Sequence, residues 1–139
     1  MAKSRVTASN IMKPFSLLPA YVWMHEVRRG LPAAALRRFL KDAGLDRDAV
    51  LRVLQISKRT LERRADAQLT PVQSDRFLRV KRIYDEAVAT LGDTGAAAGW
   101  LQEPNRMLEG ERPLDVLDTE VGAESVEAVL VGLQEGLPA

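Results

Sequence analysis

At 139 residues, 46% hydrophobic, 28% charged and without cysteine, the chain has the make-up of a folded soluble protein, with no disulfide, thiolate metal site or thiol nucleophile. No signal-peptide pattern is visible and no run approaches the roughly 20 apolar residues of a membrane span, so a cytoplasmic protein without membrane contact is expected. The net charge of +1 hides a segregation: residues 1–82 hold 18 Lys/Arg against 7 Asp/Glu, a net +11, whereas residues 83–139 hold 2 against 12, a net −10. The basic half suits a polyanion such as DNA, and the acidic half, which DNA repels, needs a different partner.

Residues 1–29 offer no recognisable element and read as an N-terminal arm, with Trp23 as its apolar anchor. Gly30-Leu31-Pro32 punctuates the chain and puts Pro32 at a helix start. The run Ala33 to Ala43 follows, with Leu36, Phe39 and Leu40 at helical spacing and Gly44 as a left-handed C-cap. A second short helix begins near Asp46 or Asp48, acids that suit a helix N-terminus, and carries Val50, Leu51, Val53 and Leu54. Ser57 caps a third, from Lys58 to about Ala67.

Thr70-Pro71-Val72-Gln73 is a capping box with proline at N1, and it opens the longest helix. Phe77, Val80, Tyr84, Ala87, Val88 and Leu91 form one apolar stripe on it, read as core with a share in a dimer seam. Gly92 stops this helix. Asp93 caps a short one containing Ala96, Ala97, Ala98, Trp100 and Leu101, in which Gly95 and Gly99 weaken the expected rigidity. Pro113 to Leu117 reads as a helical turn. Asp118 or Thr119 caps a last helix with Val126, Val129, Leu130 and Leu133 inward, ended by Gly136 and Pro138. Nothing alternates with period two, so the expected class is all-α, divided as an arm over 1–29, a DNA-binding region over 30–70 and a second helical unit over 71–139.

Two short helices joined by a tight turn, the second opening on Ser57 and dense in Lys/Arg, form the pattern of a helix-turn-helix. Its recognition helix places N-terminal residues in the major groove. Ser57, Lys58, Arg59, Thr60, Arg63 and Arg64 are the candidate DNA contacts. Arg59 suits a guanine edge, and Lys58, Arg63 and Arg64 suit phosphates. An isolated basic cluster is more often a solvated face, but the turn, the cap and the surrounding excess of charge favour DNA. A steep loss of DNA affinity with salt is the corresponding expectation.

Leu54-Gln-Ile-Ser-Lys-Arg-Thr-Leu-Glu-Arg-Arg64, followed by Leu69-Thr-Pro-Val-Gln-Ser-Asp-Arg-Phe-Leu-Arg79, resembles the Xre/MbcA/ParS antitoxin family. So does the C-terminal string: Trp100-Leu101-Gln102-Glu103-Pro104-Asn105, and Leu108-Glu109-Gly110-Glu111-Arg112-Pro113-Leu114-Asp115-Val116-Leu117-Asp118-Thr119-Glu120-Val121-Gly122. Leu91-Gly92-Asp93 stands where the family has Phe-Gly-Asp. The resemblance spans roughly Gly30 to Gly136.

It implies an Xre-like helix-turn-helix followed by a small helical toxin-binding domain. It also implies a cognate RES-domain toxin, which degrades NAD or uses it for ADP-ribosylation. The antitoxin of such a type II pair binds at the toxin's active-site entrance and represses its own operon. A toxin pocket that takes NAD offers positive charge to a pyrophosphate, for which an acidic surface competes. Glu120, Glu124, Glu127, Glu135 and Leu137 are therefore the candidate toxin contacts, beside the plain reading of a solvated acidic helix face.

A homodimer is expected from the pairing of two-fold proteins with palindromic operators. The rival readings are a stand-alone regulator without a toxin and a pure inhibitor with a vestigial helix-turn-helix. His25 is the single histidine, and one imidazole makes neither a metal site nor a triad. Asp115 and Asp118 are explained by capping, and the glycines lack the phosphate-loop pattern. No enzyme activity, cofactor, metal or small-molecule substrate is expected.

Overall fold

Capping residues, glycines and prolines cut the chain into seven α-helices among the described residues: α1 Ala20–Arg29, α2 Ala33–Asp42, α3 Arg47–Leu54, α4 Lys58–Arg63, α5 Pro71–Leu91, α6 Thr94–Leu101 and α7 Glu120–Gln134. The computed structural model describes residues 11, 13–63 and 67–137. Short 3-10 turns at Phe15–Leu17, Arg106–Leu108 and Pro113–Asp118 complete the all-α fold. No strand occurs among the described residues, where one isolated bridge joins Pro32 to Gln68.

The caps stand where the sequence places them. Asp46 accepts from the Asp48 amide, Thr70 and Gln73 close a reciprocal box, Asp93 accepts from Ala96, and Thr119 accepts from Gly122. Each satisfies an amide that the first helical turn leaves unpaired. α1 is the element the sequence does not announce. Its N-cap is Pro19, which has no side chain to bond, and its buried face is only Val22, Trp23 and Glu26.

α5 is the axis of the molecule, packed by α1 and α3 from the N-terminal half and by α6 and α7 from the C-terminal half. Its stripe faces inward: Phe77, Val80, Tyr84 and Ala87 are buried within one chain, which makes them core rather than a seam between copies. Phe39 of α2 meets Phe77 and Tyr84 edge-on, with ring centroids 5.6 and 5.3 Å apart. Apart from Val22, the buried apolar residues form one cluster running from Ile11 to Leu130.

Segment 30–33 is fastened to 67–69. The Leu69 amide donates to the Leu31 carbonyl at 2.8 Å, the Ala33 amide donates to Ala67, and buried Ser74 accepts from the Leu31 amide at 2.8 Å. Gly30 adopts φ +97°, and a Cβ there would stand 2.4 Å from the Leu69 carbonyl oxygen, so the closure requires glycine.

The N-terminal segment is clasped to α5 by a buried ion pair. Lys81 Nζ pairs with Asp85 and donates to the Lys13 carbonyl at 3.0 Å, while the other Asp85 oxygen accepts from the Phe15 amide at 2.8 Å. Burial outweighs this pairing, lowering the Lys81 ammonium pKa and raising that of the Asp85 carboxyl. Trp23 stacks on Phe15 at 5.3 Å and donates its indole N–H to the Phe15 carbonyl, so this tryptophan does anchor the segment.

Candidate functional site

α3 and α4 are separated by Gln55-Ile56-Ser57. Gln55 takes the left-handed conformation, φ 56°, and the Ile56 amide bonds back to the Leu51 carbonyl at 3.0 Å, which ends α3 three residues before α4 begins. Ile56 and Leu61 are buried and fix the two helices to the core. The Ser57 hydroxyl accepts from the Thr60 amide at 3.0 Å and donates to the Thr60 hydroxyl at 2.7 Å. These two candidate contacts therefore shape the helix start.

Lys58, Arg59 and Arg63 point into solvent, and no described ion pair uses them. This is the presentation that a phosphate-facing or base-reading helix needs. Arg64, the sixth candidate, lies outside the described residues, as does Ala65. One residue that the sequence does not single out is Arg37 of α2. Its guanidinium donates to the Leu61 carbonyl at 3.1 Å and braces α4 from behind. The 24-residue separation leaves no local sign of that bond.

The acids of the C-terminal half divide into two groups. Glu120 bonds Arg79 and Arg82 of α5 at 3.0 Å each, and Glu127 pairs with Arg82 at 3.1 Å. Both hold α7 against α5. Burial by itself pushes the Glu120 carboxyl pKa up, but the two arginines together bring it below the ordinary value. Glu124 and Glu135 are exposed and take no part in a described ion pair. Leu137 folds back so that its amide meets the Gly132 carbonyl at 2.8 Å, yet most of its side chain stays in solvent.

Elsewhere, Asp115 is held by Arg112 through two bonds of 2.8 and 2.9 Å, and its carboxyl titrates below the usual range. Thr119, rather than Asp118, caps α7. No group of three or more His, Asp or Glu suited to a metal ion occurs among the described residues. None of their helices is long and apolar enough to cross a membrane.

Residues 22–82 match the family profile described as the antitoxin Xre-like helix-turn-helix domain, and residues 86–136 match the antitoxin Xre/MbcA/ParS C-terminal toxin-binding domain. The chain belongs to the Xre/MbcA/ParS antitoxin family.

Among its relatives in this family is the Antitoxin Xre of Pseudomonas putida, 35% identical over 92 residues, which are 66% of this chain and 56% of that protein. The Antitoxin Xre of Yersinia enterocolitica is 35% identical over 98 residues, 68% of this chain and 66% of the relative. The matched region thus spans between about half and two thirds of these Xre relatives. The Prs ADP-ribosylating antitoxin of a Sphingobium species is 25% identical over 121 residues, 79% of this chain and 76% of its own. α4 lies in the helix-turn-helix match and α7 in the toxin-binding match, so basic and acidic surfaces fall in different family domains.

Proposed function

We propose that this chain is the antitoxin of a type II toxin–antitoxin pair whose toxin is of the RES class. It neutralises that toxin by direct binding at the active-site entrance, acting in the cytoplasm by association rather than catalysis. The observation that carries this reading is a pair of exposed acids, Glu124 on α7 and Glu135 at its C-cap. Both reach solvent without a described ionic partner, Leu137 is exposed two residues after Glu135, and both acids lie in the region matched to a toxin-binding domain. Such a surface competes for a pocket built for the pyrophosphate of NAD. ADP-ribosylation consumes NAD, and one relative bears that activity in its name.

The same chain, as a homodimer, represses its own operon through α4, with Lys58, Arg59, Arg63 and Arg64 on the DNA. The dimer contact lies outside the Phe77–Leu91 stripe, most of which is buried in one chain.

Growth rescue tests the proposal. The toxin encoded beside this chain is induced together with the intact protein or with Glu124→Lys/Glu135→Lys. Rescue by the intact chain and its loss in the double variant is the expected result. Absence of rescue by the intact chain turns the reading to a stand-alone regulator, and retardation of the upstream DNA then becomes the measurement.

A further inference from the structure

The two most exposed large apolar side chains among the described residues are Val121, 71% exposed, and Met107, 64% exposed. They are 14 positions apart in the chain yet line one cleft of about 530 Å³ between the start of α7 and the loop that precedes it. Leu108 and Val116 supply its half-buried apolar floor. Four carboxylates border it and no lysine or arginine does. Asp115 is neutralised by Arg112, whereas Glu109, Glu111 and Asp118 are exposed and belong to no described ion pair.

The cleft is built, not incidental. On one wall, buried Asn105 accepts from the Met107 amide at 2.9 Å, its own amide donates to the Glu111 carbonyl at 3.0 Å, and its carbonyl accepts from Gly110 at 2.9 Å. Glu109 and Gly110 are held consecutively at φ 57° and 89°, a turn that aims Met107 outward. On the other wall, α7 lies directly on the Pro113–Asp118 turn. A Cβ at Gly122 would stand 1.7 Å from the Val116 carbonyl oxygen, so only glycine permits this approach. Rigid backbone displays the two apolar side chains, which lowers the ordering cost of binding.

Apolar side chains set on such a frame mark an interaction surface. Methionine adapts to its partner, and an uncompensated charged rim selects a complementary one. Every residue lining the cleft falls within 86–136, the segment matched to a toxin-binding domain. We propose that this cleft receives a cationic segment of the toxin, an apolar side chain seated between Met107 and Val121 and flanking Lys or Arg residues paired with Glu109, Glu111 and Asp118. This rests on the antitoxin reading and names the surface and the partner chemistry.

The test uses the full chain and a catalytically inactive form of the toxin encoded beside it. Calorimetry compares the intact chain with Met107→Asp, Val121→Asp and the charge reversal Glu109→Lys/Glu111→Lys, while hydrogen exchange maps protection in the unmutated complex. The expected result is a weakening of about tenfold or more for each variant, unchanged melting temperatures and new protection over 105–122. Unaltered toxin affinity in all three variants overturns the cleft and leaves the antitoxin reading intact. The cleft is overturned equally if the variants abolish self-association of the chain instead, because a second copy is then its occupant. An intact chain that does not bind the toxin fails both readings at once.

Discussion

Lys81 is 1% exposed, a lysine inside the core of a small protein. Its ammonium survives there because Asp85 and the Lys13 carbonyl replace the water it loses. Lys81→Met removes one member of the pair and leaves Asp85 with the Phe15 amide alone. A loss of about 2 kcal/mol is expected, at the low side for buried pairs because Asp85 keeps some solvent access. Thermal unfolding measures it, and limited proteolysis reports loosening of the Phe15 segment. In the sequence, Lys81 stands in the run Arg79-Val80-Lys81-Arg82 and looks like part of the DNA-facing charge. Three of these four residues are cations committed elsewhere, to Asp85, Glu120 and Glu127. Glu120 and Glu127 lie 38 or more residues from Arg79 and Arg82 and leave no local pattern there, and a 24-residue separation hides the Arg37 brace in the same way; only the Lys81–Asp85 pair, four residues apart, has a local spacing.

At the scale of elements, α7 is tied to α5 by Glu120, Glu127, Arg79 and Arg82. The folded-state pKa of Glu120 is depressed, so its stabilisation is present above the ordinary glutamate value of 4.5 and is lost as pH falls through the folded value. Glu120→Gln is expected to cost about 0.5 kcal/mol near neutrality, modest because the carboxylate is half in solvent, and progressively less as pH falls below 4.5 through the depressed folded value. Melting temperatures of both proteins across that range check the sign and the window. Helices and caps were legible because they depend on neighbours two to four positions away: Asp46, Thr70, Asp93 and Thr119 each bond their own first turn. α1 escaped because proline replaces a bonding cap and because Tyr21 and Met24 interrupt its pattern with exposed apolar residues. Of the candidate toxin contacts, the acid pattern on α7 was visible in sequence. Which acids face α5 was not.

The whole molecule sets opposite charges on a shared interior. α3 of the helix-turn-helix packs on the Pro113–Asp118 turn, and α5 on both α6 and α7. Gln102, at the end of α6, accepts from the Asp46 amide at 2.7 Å and donates to the Gly44 carbonyl at 3.2 Å. A chain ending at Leu91 would expose the inner faces of α3 and α5. It is expected to lose helical signal beyond that of the deleted residues and to melt without a cooperative transition, as circular dichroism would show.

The path of α5 bears on how such a protein can change partners. The charge boundary near Arg82 falls in the middle of this helix, so a genetic crossover there joins two half-helices whose buried faces were fitted to different neighbours. With Met107 and Val121 seating the toxin as proposed, retargeting to a new toxin is easier by drift of a few such outward side chains than by exchange of a cassette. Descendants would then diverge on the rim of the cleft while the helical frame beneath it stays recognisable.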